Sequence, residues 1–137
     1  MIFTCNFANW EKIPVPVTPI TICVYPPKGV QMLSYPPLFP PKDLVKTYKD
    51  GYISDALYKE VYNKQVLDLL DVAKVVTDLY ELAGENGAVV LLCYESSDKF
   101  CHRHIVRQWL DKYEFATREF NVRVMPRMSL GLRKKHD

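Results

Sequence analysis

Two motifs, Cys93-Tyr94-Glu95 and Cys101-His102-Arg103, bring two thiols, a carboxylate, an imidazole and a guanidinium into one short stretch. A thiol beside cationic side chains at a helix start loses its proton readily, because backbone amides and the helix dipole favour negative charge there. Cys101 is thus a candidate nucleophile, and Cys93 is either its resolving partner or the nucleophile itself. Glu95 can serve as general base, or orient His102 or Arg103. Arg103 and the helix start together would hold a phosphate or carboxylate. Each group also has a structural reading: packing thiols, a semi-buried His102, and a Glu95–Arg103 ion pair tying strand to helix.

Two elements must position these groups. The continuous apolar run over residues 88–94, bounded by turn residues, predicts a central parallel strand buried on both faces. The following helix is capped by Ser97 or Asp98. It places His102, Val106, Trp109, Leu110 and Tyr113 on an apolar face and Arg103, Arg107 and Asp111 on a wetter one. A strand–loop–helix unit of this kind opens its crevice at the strand's carboxyl end, where α/β sheets bind ligands.

The rest of the chain supplies the sheet and its cover. Residues 2–7 and 20–25 read as strands. Nine of the ten prolines fall between Pro14 and Pro41, which predicts a stiff, extended loop over residues 26–41. Pro41 opens a helix that Asp50-Gly51 ends, and Ser54 caps the next. Helical spacing continues, with a break near residues 68–71, to a C-cap at Gly84 or Gly87. Alternation over residues 119–125 predicts a half-exposed edge strand. The fold class is α/β: a small, mostly parallel sheet of about four strands flanked by helices, with one domain over residues 1–125 and a basic tail over 126–137.

Composition narrows the function classes. The chain has 137 residues, 48% hydrophobic and 25% charged, with a formal charge of +2, which suits one globular domain. No apolar run spans a bilayer and residues 1–20 lack a signal-peptide core, so the expectation is a cytoplasmic protein without membrane contact. The four cysteines then read as reduced, with Cys5 and Cys23 as small buried hydrophobes. Arg123, Arg127, Arg133, Lys134 and Lys135 make the tail basic. That reads as a solvated tail, or as a strip for nucleic-acid phosphates.

Several common centres are not expected. Cys93, Cys101, His102 and His104 are zinc-ligand types, but their spacing matches no finger or ribbon, and two histidines two residues apart point to different helix faces. No metal and no cofactor is expected. The chain has neither a glycine-rich phosphate loop nor the Cys-x5-Arg loop of thiol phosphatases.

The sequence of Leu91-Leu92-Cys93-Tyr94-Glu95, a loop, and Cys101-His102-Arg103 resembles the signature of the "domain of unknown function 488" family. The opening strand into Asn6-Phe7-Ala8-Asn9, the proline stretch before Asp43-Leu44, and the 48–54 turn are similar too. The resemblance covers most of residues 1–124. It implies a compact α/β domain and carries no settled activity.

Aromatic and amide side chains suggest the ligand. Phe7, Trp10, Tyr25, Tyr35, Phe39, Tyr94 and Phe100 lie in or beside segments leaving the strand ends, with Asn6 and Asn9 to read a base or ribose edge. The expectation is a small enzyme acting on a nucleotide, nucleobase or modified nucleic acid through Cys101, Glu95, His102 and Cys93. In this reading Arg103, Asn6, Asn9, Phe7, Tyr94 and Tyr25 bind the ligand. The alternative is a non-catalytic protein that captures a nucleotide-like molecule or a partner in the same crevice. Either form is compatible with a homo-oligomer.

Overall fold

The computed structural model describes residues 1–29, 31–95 and 99–121. Five strands form one all-parallel sheet in the order β3-β2-β4-β1-β5. They are β1 (Ile2–Asn6), β2 (Thr18–Thr21), β3 (Leu33–Ser34), β4 (Val89–Cys93) and β5 (Thr117–Glu119). The α-helices are α1 (Lys42–Lys49), α2 (Asp55–Gln65), α3 (Val72–Ala83) and α4 (His102–Lys112).

Local chemistry accounts for most boundaries. Ser54 caps α2 by accepting the Leu57 amide, and Asp71 caps α3 by accepting that of Ala73; each satisfies an amide the first helical turn leaves without a partner. α3 stops at Gly84, whose φ of 56° suits a residue lacking Cβ. Pro19 lies inside β2, where a missing N–H is normally costly. The amides of Thr18 and Ile22 donate to Ala88, just before β4, and to Leu92 within it, so Pro19 faces the other side. There β3 begins only opposite Ile20, and no ladder bond is lost.

Four strands were expected and five are present. The additional one, β3, is a two-residue pairing inside the stretch predicted as an extended loop; an extended chain beside an open edge makes such a bond at little cost. β5 is an edge strand as expected, but it pairs with β1 from Thr117. Residues 122–125 and the basic tail lie outside the described residues.

Strand alternation splits the core in two. Every buried apolar helix residue joins Ile2, Ile20, Ile22, Val89 and Leu91 on one face of the sheet. Phe3, Cys5, Val90 and Leu92 face the other way, against Ile13, Ala88 and Phe120, with Trp10, Val17 and Met32 packed on them. Topology explains this asymmetry. With crossovers of one hand, steps toward the β3 edge must pass over one face and steps toward the β5 edge over the other. The steps from β3 to β4 and from β4 to β5 carry the helices. The step from β1 to β2 runs through Pro14 and Pro16, which exclude a helix there.

Candidate active site

The carboxyl ends of β1, β2 and β4 meet at one end of the sheet, where Asn6 stands opposite Cys93 in the register. Cys93 closes β4, Cys101 occupies the N-cap of α4, and the two are joined in a disulfide. Cys23, just beyond β2, joins them in one buried cluster, and Phe7 packs against it. Three of the four cysteines therefore cluster. The expectation of four reduced thiols is corrected: Cys5 and Cys23 are free and buried, while Cys93 and Cys101 are paired. Ser97 and Asp98, the expected caps, lie outside the described residues; Cys101 holds the cap position without a side-chain hydrogen bond.

Arg103 departs most from expectation. Its side chain is 0% exposed, not on the wet face of the helix. Its Nε donates to Glu119 Oε1 at 3.1 Å and a terminal nitrogen to Oε2 at 2.9 Å. The other terminal nitrogen donates to Cys93 Sγ at 3.3 Å. Thr4 Oγ1 donates to Glu119 Oε1 at 2.6 Å and completes the network. A buried cation needs such a partner, since its desolvation is otherwise uncompensated. The guanidinium is thus committed to Glu119 and to sulfur, and it is not presented to a ligand's anion. Glu95, the expected partner, is exposed, and its charge helps hold the Tyr48 phenol up, after the larger effects of the Asp55 hydrogen bond and burial.

His102 is buried, and its Nε2 donates to the Ile22 carbonyl at 2.8 Å. Burial pushes it down to about 4, so the ring is neutral at pH 7 with its lone pair on Nδ1. Burial also pushes the free thiols up, Cys23 to about 11 and Cys5 to about 12. His104 is half-buried.

The aromatic side chains separate into groups. Phe7, Ala8, Trp10, Glu11, Pro27, Met32 and Tyr94 line a hollow of about 380 Å³ at the same end of the sheet. The Phe7 and Tyr94 rings meet edge to face at 4.9 Å. Phe7 lines the hollow and also packs against the cysteine cluster, so the two adjoin at its ring. The other expected binders lie apart from the lining. The Tyr25 carbonyl accepts from Tyr94 Oη, and the Tyr25 ring lies under Lys42. Asn9 accepts from Lys12, Tyr35 donates to Asp78, and Phe100 packs on Tyr48 and Tyr58. Asn6 is buried at the end of β1.

Sequence reasoning missed three participants: Cys23, Glu119 and Met32. Parallel register was the available signal for Cys23, because strands ending at one level bring the residues after them together. Glu119 and Met32 gave none. No helix among the described residues is long and apolar enough to cross a membrane.

No curated protein and no solved structure matches the chain. The family model described as "Active DUF488-N3 subclade" matches residues 3–114, which include both cysteine motifs and, apart from Ile2, the first four strands. The chain belongs to the DUF488 family, in the DUF488-N3 subclade.

Proposed function

We propose that the protein is a small cytoplasmic enzyme that acts on a nucleobase or nucleoside-like ligand by thiol chemistry at Cys93. The observation that carries this reading is the buried Arg103 guanidinium donating to Cys93 Sγ. A fixed cation beside sulfur stabilises a thiolate. Expectation favoured Cys101 as nucleophile; this contact favours Cys93, with Cys101 as resolving thiol.

Reduction precedes catalysis, and the geometry gives it a direction. Cys101 is 7% exposed and Cys93 1%, so the thiolate of an external dithiol attacks Cys101 Sγ. The disulfide breaks and its electron pair remains on Cys93 Sγ, the leaving group that Arg103 stabilises. The second thiol of the reductant then closes onto the first and releases Cys101 as a thiol. Two electrons have passed, and the reductant leaves as a cyclic disulfide. A cytoplasm, where dithiol reductants are abundant, suits this cycle.

The hollow supports the ligand class. Its lining offers aromatic faces and the thioether of Met32, with Glu11 as its charged side chain. That suits a flat ring bearing N–H donors better than a phosphate group. The alternative, a binding protein without turnover, is favoured by the deep burial of Cys93. The test is calorimetry of the dithiol-reduced protein against nucleobases and nucleosides, with product analysis by mass spectrometry. Binding and turnover in the wild type, with Cys93→Ser keeping binding and losing turnover, support the enzyme. Turnover undiminished in Cys93→Ser discards the thiol mechanism. Binding without turnover in either protein leaves the binding module, and a wild type that binds none of these ligands rejects both readings.

A further inference from the structure

The cysteine cluster has a second chemical capacity that does not depend on any catalytic activity. Donor atoms of Cys23, Cys93 and His102 lie within 4.8 Å of one another, all on buried residues. Cys101 is covalently attached to Cys93 and packs in the same cluster. We propose that opening the Cys93–Cys101 disulfide converts this cluster into a tetrahedral site for one zinc ion, held by Cys23, Cys93, Cys101 and His102.

The donor set is that of a closed structural centre. Three thiolates and one imidazole fill four positions, with zinc–sulfur bonds of about 2.3 Å. The donors come from three separate places: the segment after β2, the end of β4 and the start of α4. An ion there would staple the carboxyl end of the sheet to its last helix. The C-x7-C-H spacing alone resembles no known finger, because one ligand is supplied by a parallel neighbour strand.

An outer shell is already built. His102 donates Nε2–H to the Ile22 carbonyl at 2.8 Å, which fixes the ring and leaves the Nδ1 lone pair for an ion, the arrangement usual for ligating imidazoles. Arg103 donates to Cys93 Sγ at 3.3 Å, and a sulfur carrying full thiolate charge accepts that bond more strongly. The Cys23 thiol faces the Leu92 carbonyl at 3.8 Å and gives up its proton when it ligates.

The reaction balances in two steps. A phosphine reductant takes the oxygen of one water molecule, becomes the phosphine oxide and leaves Cys93 and Cys101 as thiols. Zinc then displaces three protons, one from each thiol, and binds the neutral imidazole. An added small-molecule disulfide takes the two electrons by thiol–disulfide exchange and leaves as two thiols; the re-formed Cys93–Cys101 bond removes two ligands and expels the ion, so metal and disulfide exclude each other.

Cobalt(II) is the probe. The full chain, reduced anaerobically with a phosphine, is titrated with cobalt and then with zinc. The expected result is one equivalent of cobalt with the strong visible bands of tetrahedral thiolate ligation, bleached by one equivalent of zinc. The oxidised chain gives none. Cys23→Ser and His102→Ala each weaken cobalt binding at least about tenfold, the least that a lost outer-shell partner alone costs, whereas Cys5→Ser does not. Zinc also raises the Tm of the reduced wild type and not of the oxidised one, a readout that requires no variant to fold. Reduced wild type without tetrahedral cobalt bands overturns the proposal, as do bands insensitive to both Cys23→Ser and His102→Ala. Turnover is not among the readouts, so failure here is distinguishable from failure of the proposed activity.

Discussion

Arg103 and Glu119, on α4 and the edge strand β5, form a forked ion pair in which both carboxylate oxygens accept, at 3.1 and 2.9 Å. The side chains are 0% and 10% exposed. Removing the acid while leaving the base strands a desolvated cation, the costly way to break such a pair. Glu119→Ala is expected to lower unfolding stability by about 3–5 kcal/mol, read as a reduced urea midpoint with an unchanged slope. Replacing both partners with apolar residues, Arg103→Met with Glu119→Leu, is expected to recover most of that loss. A single variant that unfolds at the wild-type midpoint would show the pair to be solvated in solution.

The disulfide sets a thiol count and an order of reactivity. Of the four cysteines, two are free and both are buried. An aromatic disulfide reagent should react slowly with the native oxidised protein. It should titrate two thiols after denaturation, and four when reduction precedes denaturation. A monothiol added to the native protein should be trapped on Cys101, the more exposed sulfur, with Cys93 left free for alkylation. Peptide mapping that finds the adduct on Cys93 would reverse the roles given to the two cysteines.

What the sequence disclosed follows the range of the interactions involved. β4 and α4 were legible because an unbroken apolar run and a helical stripe are local signals, and the cap at Ser54 is more local still. β3 was not legible, since two residues among prolines carry no periodicity and the pairing depends on an open edge of β2. The site was legible in its residue types but not in its partners. α4 packs against both the sheet and α2, so its buried stripe is wide enough to include Arg103 beside His102. A helical wheel drawn for a helix on a flat surface puts Arg103 outside. Its true partner, Glu119, lies in another element, whereas Glu95 was near in sequence and proved exposed.

The proline-rich segment is anchored from below. Tyr62, 0% exposed, donates its hydroxyl to the Leu38 carbonyl at 2.6 Å. Burial, then the neighbouring Tyr58, holds that phenol well above its ordinary value, so it remains a donor. Tyr62→Phe keeps the ring packing but removes the donor from a buried carbonyl. The expected cost is about 1–3 kcal/mol, measured by chemical denaturation. Amide exchange should also accelerate at Phe39, next to the released carbonyl. A variant as stable as wild type would mean that water satisfies Leu38.

A second phenol gives the stability curve an acid limb. Tyr35 donates to Asp78 Oδ2 at 2.7 Å, and Lys74 donates to both oxygens of the same carboxylate. The Tyr35 hydrogen bond, then that of Lys74, holds the Asp78 carboxyl below its ordinary value of 3.8. The unfolded chain therefore binds this proton at higher pH than the folded one. The stabilisation is fully present above the unfolded value and is lost as pH falls through the folded one. Tyr35→Phe removes the largest cause of the shift while conserving the buried ring. The variant should melt below wild type at pH 7, and the gap in Tm should narrow as pH drops below about 4, where protonation weakens the bond in wild type as well. A gap that stays constant down to pH 2 would assign the loss to packing of the Tyr35 ring, with no part for the carboxylate.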